Sequence, residues 1–213
     1  MTFTEIRVPQ GSPEWLAARA GHVTGSRAAD VVAKLKTGKP AATREDYKAQ
    51  LVVERLTGKP QESTFTNAAM ERGKELEPQA RAAYEAHTGY LVMESGFLRM
   101  SVPAWVGCSL DGMVYGLSKI VEIKCPGAKN HLKWLQSGTI PPEYLPQMRH
   151  NLWVTGAESC DFISYHPEFP PHLQLHIVTL VPSPDELEAY ASEVTAFLDE
   201  VDTETERMLA WMP

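Results

Sequence analysis

Between residues 89 and 125 the chain changes texture. Four short apolar runs, YLVMESGFLRM, AWVGCSL, MVYG and KIVEIKC, succeed one another across Ser-Gly, Val-Pro, Asp-Gly and Gly-Leu-Ser signals, the pattern of short antiparallel strands joined by tight turns. The sequence before them reads as helix. In GSPEWLAARAG, Ser12 is an N-cap, Pro13 takes the first helical position and Gly21 is the stop. TGSRAADVVAKL repeats the pattern with Thr24 or Ser26 as the cap. A third helix runs from Arg44 to Leu56 on Tyr47, Leu51 and Val52. A longer one runs from about Phe65 to His87, with Met70, Leu76, Ala80, Ala83 and Tyr84 as its buried stripe.

Beyond the strands, NHLKWLQSG and PPEYLPQMRHNLWVTG predict two connecting helices, the second with Leu145, Met148 and Leu152 facing inward. SCDFISYHP and LQLHIVTLV predict the last strands of the sheet. A capping box of Ser183, Pro184 and Glu186 opens a long final helix, in which Leu187, Tyr190, Val194, Phe197 and Val201 recur at spacings of three and four. Helices, then a sheet, then a long helix indicate an α/β (α+β) sandwich built on one central mixed sheet. With 213 residues and no linker-like stretch, a single domain spanning 1–213 is expected.

Several function classes drop out. No apolar run approaches the roughly 18–20 residues of a membrane span, and MTFTEIRVPQG lacks the apolar core of a signal peptide, so a cytoplasmic protein is expected. Cys108, Cys125 and Cys160 are odd in number and form no C-x-x-C pair; reduced, buried thiols are expected rather than a disulfide framework or zinc ribbon. A formal charge of −7 argues against a nucleic-acid partner only if it is evenly spread, and it is not. Residues 1–60 carry ten Lys/Arg against six Asp/Glu, whereas residues 183–213 carry nine acidic residues against Arg207 alone. A solvated acidic helix face accounts for that final run.

The chemistry concentrates in GCSLDGMVYGLSKIVEIKCP, residues 107–126. Glu122 and Lys124 stand two apart and share one face of a strand, with Ile123 on the other. If the run before Asp111 pairs with KIVEIKC, Asp111 and Glu122 meet at one end of a hairpin. Two carboxylates that close repel unless a cation lies between them, and an oxygen-only donor set favours Mg²⁺ or Mn²⁺. Lys124 adds a positive charge that orients a water or stabilises a phosphoryl oxygen. The alternative is a surface hairpin in which Glu122 and Lys124 form a weak i, i+2 ion pair; against it stands the apolar setting of Val121, Ile123 and Cys125.

With its flanks, PAWVGCSLDGMVYG…KIVEIKCP resembles the D…(D/E)-x-K core of the PD-(D/E)XK nuclease superfamily, and the wider chain resembles the phage lambda exonuclease and YqaJ-type viral recombinase family. QGSPEWLAARAGHVTGSRAADVV (10–32) is similar to that family's Q-G-x-x-x-W…R-x-G-x-x-T-x-S block. ERGKELEPQARAAYEAHTG (71–89) resembles its G-K-x-x-E helix, and YLPQMRHNLWVTG (144–156) its Y-x-x-Q…W-V-T helix. The blocks follow the family's order from about residue 10 to 156. One departure is Leu110, where the superfamily commonly has Pro before the aspartate; that position shapes a turn and is not a ligand.

The resemblance implies the PD-(D/E)XK fold, with a central mixed sheet flanked by helices, a helical N-terminal part and a long C-terminal helix. It implies metal ligation by Glu77, Asp111, Glu122 and the Ile123 carbonyl, with Lys124 as catalytic lysine and Gln147 positioning the lysine or the water. Arg19 and Ser26 fall where the family binds a 5′-terminal phosphate. Periodicity alone does not choose Glu77 over Glu71 or Glu75. An arginine fork and a hydroxyl at a helix start both suit an anion. Trp15 and Trp153 are read as core packing, and His22 as partly exposed.

The implied activity is a Mg²⁺- or Mn²⁺-dependent 5′-to-3′ exonuclease, with two ions, acting on linear double-stranded DNA. It would release 5′ mononucleotides and leave 3′ overhangs for a single-strand annealing protein. A homotrimeric ring and a phage or prophage origin in a bacterial host's cytoplasm are implied too. Two alternatives stay open: a restriction- or junction-type endonuclease on the same core, and a catalytically inert DNA-end-binding module.

Overall fold

A computed structural model describes residues 3–61 and 68–212. Its first half alternates short strands with helices: β1 (Phe3–Ile6), α1 (Pro13–Arg19), β2 (Val23–Thr24), α2 (Ala28–Val31), α3 (Ala42–Thr57) and α4 (Ala68–Thr88). Strands β3 (Val92–Met93), β4 (Phe97–Met100), β5 (Val106–Ser109), β6 (Gly112–Val114) and β7 (Lys119–Lys124) follow. Helices α5 (Ala128–Ser137) and α6 (Leu145–Thr155) then lead to β8 (Ser159–Tyr165), β9 (Leu175–Leu180) and α7 (Pro184–Leu209).

Ser12 and Ser183 cap the helices the sequence assigns them, but the expected cap at Thr24 or Ser26 is not formed: α2 starts after Arg27 with no side-chain cap, and Thr24 makes no capping hydrogen bond to the 3₁₀ turn that precedes it. Ser12 Oγ accepts from the Trp15 amide at 3.1 Å, and Ser183 and Glu186 close a reciprocal capping box at the head of α7. Gly58 ends α3 in the left-handed conformation. The expected start of the fourth helix at Phe65 lies outside the described residues, as does the side chain of Met70.

The strands do not form the single sheet expected. Four make one sheet in the order β1-β4-β5-β2 and five make another in the order β3-β6-β7-β8-β9. Each contains one parallel pair, β2 with β5 and β7 with β8, and is otherwise antiparallel. The run YLVMESGFLRM is divided between the sheets as β3 and β4. The run through Asp111 is likewise divided, with β5 in one sheet and β6 in the other. The expected pairing is corrected accordingly: β7 pairs with β6, the run after Asp111, in the register Gly112↔Val121 and Met113↔Ile120.

Strand β7 is central and its side chains alternate. Val121 and Ile123 join Ala80, Tyr84, Val114 and Ile163 in a core cluster under α4. Ile120 joins the larger cluster on the opposite face, with Leu152 of α6, Leu51 of α3 and Phe197 of α7. Helix α5, a short 3₁₀ turn and α6 supply the crossover that the parallel β7–β8 pair requires.

The uneven charge is resolved within the chain. Acidic α7 lies against the basic side chains of α3, where both guanidinium Nη atoms of Arg44 meet Glu200 at 2.9 and 2.8 Å and Lys48 reaches the same carboxylate at 3.1 Å. Arg55 pairs with Asp202 alongside, and the bidentate fork fixes the direction in which the helices cross. Among the described residues no helix is long and apolar enough to cross a membrane.

Candidate active site

Strand β7 delivers Glu122 and Lys124 to the same face, as alternation requires. Glu122 is 1% exposed, and its Oε1 faces Lys124 Nζ at 2.5 Å without aligning into a hydrogen bond. Its Oε2 accepts from Asn151 Nδ2 of α6 at 3.3 Å. Asp111 occupies the break between the sheets, where Oδ2 accepts the Ile123 amide at 2.7 Å. The turn is held on both sides: Gln10 Nε2 donates to the Leu110 carbonyl at 3.0 Å and Arg81 Nη2 to the Asp111 carbonyl at 3.3 Å. The same Arg81 nitrogen holds Glu77 Oε1 at 2.9 Å, so Glu77 is the α4 glutamate that turns to Asp111; Glu75 is exposed.

The electrostatics are those of carboxylates crowded together. Burial pushes the Glu77 carboxyl up and neighbouring Asp111 adds to it, against the pull of Arg81 and Lys124. Burial also pushes Glu122 up; Lys124 opposes the rise, and Asp111 and Glu77 reinforce it. Burial pulls the Lys124 ammonium down, but Glu122 and Asp111 outweigh it and the net shift is upward. Among the described residues no three His, Cys, Asp or Glu gather closely enough to hold an ion as they stand. Arg81 and Lys124 neutralise part of the carboxylate charge instead. The donor set nonetheless fits a hard divalent cation: all its donors are oxygens, Asp111 raises the proton affinity of both Glu77 and Glu122, and buried Glu122 Oε1 lacks an aligned hydrogen bond. Ile123 reaches the site through its N–H to Asp111.

Glu77 and Asp111 line a cleft of about 1350 Å³ together with Trp15, Arg19, Ser26, Lys74 and Arg81. At its far side Arg19 Nη2 donates to Ser26 Oγ at 3.1 Å and lies 3.4 Å from Thr24 Oγ1. Trp15 is not core packing. It lines the cleft, its indole N–H donates to Ser109 Oγ at 2.9 Å, and the Arg19 guanidinium stacks 4.0 Å above its ring. Trp153 is buried, as expected; His22, at 8% exposure, is buried too, edge-on to Phe97.

Helix α3 sets the bend after Arg19. Gly21 has φ +76°, its amide donates to Glu54 Oε2 at 2.7 Å, and its carbonyl accepts from Arg55 Nε at 3.1 Å. A Cβ there would stand 2.9 Å from Arg55 Cγ, so only glycine fits the bend. Gln147 is half-buried on α6 beside Gly25. All three cysteines are free: Cys108 and Cys160 are buried and Cys125 is half-buried.

Residues 14–158 match the model of the YqaJ-like viral recombinase domain. The chain belongs to that family. No curated protein matches. Among solved structures, this YqaJ-like chain is similar to the alkaline exonuclease LHK-Exo of Laribacter hongkongensis, at 40% identity and a TM-score of 0.83, over 92% of this chain and 96% of that one. The same enzyme in complex with dAMP gives 41% and 0.82 over the same shares. A phage-related exonuclease from Haemophilus somnus 129PT shares the fold, with a TM-score of 0.64 at 17% identity over 88% and 96%.

Two polar residues that touch the expected YqaJ-type site were not singled out from sequence. Arg81 and Asn151 each stand four residues beyond an expected site residue, Glu77 and Gln147, on the same helix. Spacing of i, i+4 puts such pairs on one helical face, and a buried Asn between Met148 and Leu152 is the mark of a polar group with an assignment.

Proposed function

We propose that this YqaJ-like protein is a divalent-metal-dependent 5′-to-3′ exonuclease, a single nuclease domain over 1–213 that acts on the ends of double-stranded DNA. The observation that carries the reading is one cleft lined by Arg19 and Ser26 as well as Glu77 and Asp111, with buried Glu122 and half-buried Lys124 beside the carboxylates. The 40% identity to an alkaline exonuclease over most of both chains supports it, as does that enzyme's complex with dAMP, a 5′ mononucleotide.

Glu77, Asp111, Glu122 and the Ile123 carbonyl would hold Mg²⁺ or Mn²⁺, as one or two ions. Bound there, the metal lowers the pKa of water and neutralises charge on the phosphate. Arg19 and Ser26 grip the 5′-terminal phosphate, Arg19 through its planar fork. This seats the next phosphodiester over the carboxylates. Lys124, held cationic by its acidic neighbours, stabilises the charge that develops on the phosphoryl oxygens, while Gln147 orients the attacking water. Water oxygen bonds to phosphorus in line as the bond to the 3′ oxygen breaks, and the leaving oxygen takes up a proton. Each turnover frees a 5′ mononucleotide and leaves a new 5′-phosphate on the strand, the group that Arg19 grips next. The exposed 3′ strand suits a single-strand annealing partner. A homotrimeric ring around the duplex and action in a bacterial cytoplasm belong to the same reading.

The test is digestion of linear duplex DNA with Mg²⁺, one end 5′-phosphorylated and the other 5′-hydroxyl, beside a closed circle and an Arg19→Ala variant. Mononucleotide release from the phosphorylated strand, crippled in Arg19→Ala, supports the exonuclease. Cleavage of the circle replaces it with an endonuclease, and absence of any Mg²⁺-dependent product replaces it with an end-binding module.

A further inference from the structure

Asn151 touches two parts of the site. It is 1% exposed on α6, and its Nδ2 donates to Glu122 Oε2. That contact fixes the amide's orientation, because a carboxylate only accepts. The other end, Oδ1, therefore points the opposite way, where it is buried and accepts no hydrogen bond among the described residues. It points at Gly25: a Cβ built there would lie 2.3 Å from Oδ1 and 3.3 Å from Cγ. Gly25 opens the 3₁₀ turn that carries Ser26, and its φ lies outside the left-handed region, so the backbone places no demand for glycine here. The demand comes from Asn151, which fills the space a side chain would need.

We infer that Asn151 is a positioning residue that couples capture of the terminal phosphate at Arg19 and Ser26 to the setting of Glu122; this rests on the end-recognition reading above. The amide is rigid and planar. A shift of the Gly25–Ser26 backbone as Ser26 closes on an anion presses on Oδ1 and is carried to Nδ2, and so to the carboxylate. The buried, unpartnered Oδ1 leaves this contact free to change without breaking a bond. Glu122 has Lys124 on Oε1, and Asn151 donates to its Oε2, so the carboxylate is set from two sides. Coupling of this kind is reciprocal: a metal held by Glu122 tightens the grip on a 5′-phosphate to the same degree that the phosphate tightens the grip on the metal.

The experiment measures binding rather than turnover. In a Lys124→Ala background, which blocks hydrolysis, affinity for a DNA hairpin with a 5′-phosphate or a 5′-hydroxyl end is read by fluorescence anisotropy with and without Mn²⁺. Mn²⁺ is expected to tighten the phosphorylated end over the hydroxyl end by about fivefold or more. Adding Asn151→Ala is expected to collapse that difference to within about twofold, at an unchanged fold by circular dichroism. Gly25→Ala, which displaces Asn151 without removing it, is expected to act in the same direction and serves if Asn151→Ala does not fold. Persistence of the Mn²⁺-linked preference in both variants, or equal weakening of both ends, overturns the coupling and leaves Asn151 as packing. If the Lys124→Ala parent itself does not distinguish the two ends in either condition, the end-recognition reading fails first and the coupling with it.

Discussion

Two buried carboxylate–lysine pairs lie on adjacent strands of the five-stranded sheet, and they are built to opposite ends. Asp161 of β8 is 3% exposed and is saturated: both oxygens accept from Lys119 Nζ at 2.8 Å, Tyr84 donates at 2.7 Å and Thr179 at 2.6 Å. Glu122 of β7 is as deeply buried but faces Lys124 with one oxygen outside hydrogen-bond alignment, the other on a 3.3 Å contact, and two further carboxylates nearby. A buried charge with all its lone pairs engaged holds the fold together. Glu122 is instead pushed toward holding a proton by burial and by Asp111 and Glu77, with Lys124 pulling against the rise. Composition does not separate the two pairs; the number of donors does.

That contrast can be broken from either side. Asp161→Ala should be the most damaging change to stability, since it strands Lys119 and the Tyr84 hydroxyl: a loss of about 3–5 kcal/mol in urea unfolding is expected. Activity per folded molecule should be retained; equal damage from Lys124→Ala would erase the distinction. Lys124→Ala should instead leave the urea midpoint nearly in place and lower the rate of DNA digestion by about 10²–10³-fold.

A third buried polar group sharpens the comparison because it is saturated while neutral. His150 Nε2–H donates to the Gly107 carbonyl at 2.9 Å and its Nδ1 accepts from the Tyr190 hydroxyl at 2.8 Å. Burial pulls its pKa down to about 4 from 6.5. The unfolded chain therefore binds the extra proton throughout that window. Its contribution is complete above pH 6.5 and is lost as the pH falls toward 4, by at most on the order of 3 kcal/mol. His150→Gln should flatten that part of the stability–pH curve measured by urea unfolding.

The smallest effect is expected where α7 meets α3. Arg44 and Lys48 hold the Glu200 carboxyl down to about 2, so its contribution is present above pH 4.5 and is lost only as the pH falls through about 2. The carboxylate is partly exposed, and Glu200→Gln should cost about 1 kcal/mol or less and become neutral in high salt.

Much of this was legible in the residues themselves. Ser12, Gly58 and the Ser183–Glu186 box mark helix ends because a cap is a local hydrogen bond or a local φ, and both are properties of the few residues involved. Glu122 and Lys124 share a face because a strand has a period of two, whatever it pairs with. Asp111 and Glu122 are expected together from the pairing of the run before Asp111 with KIVEIKC, whereas the run that pairs with β7 is the one after Asp111, and the break between the sheets falls at that residue. Trp15 was misread because helical spacing says that a ring faces inward without saying whether a core or a cleft lies there.

Sequence by itself determined the run of helices, the caps at Ser12 and Ser183, the alternation along β7 and the residue types proposed for phosphate and metal chemistry. The tertiary structure decided which strands share a sheet, which α4 glutamate turns to Asp111, and that acidic α7 closes on Arg44, Lys48 and Arg55 of α3. It also decided that one buried carboxylate is saturated and its neighbour is not. The physical reason is range. Periodicity and capping act over a few residues, whereas pairing, burial and the count of donors around a charge depend on groups brought together from distant parts of the chain.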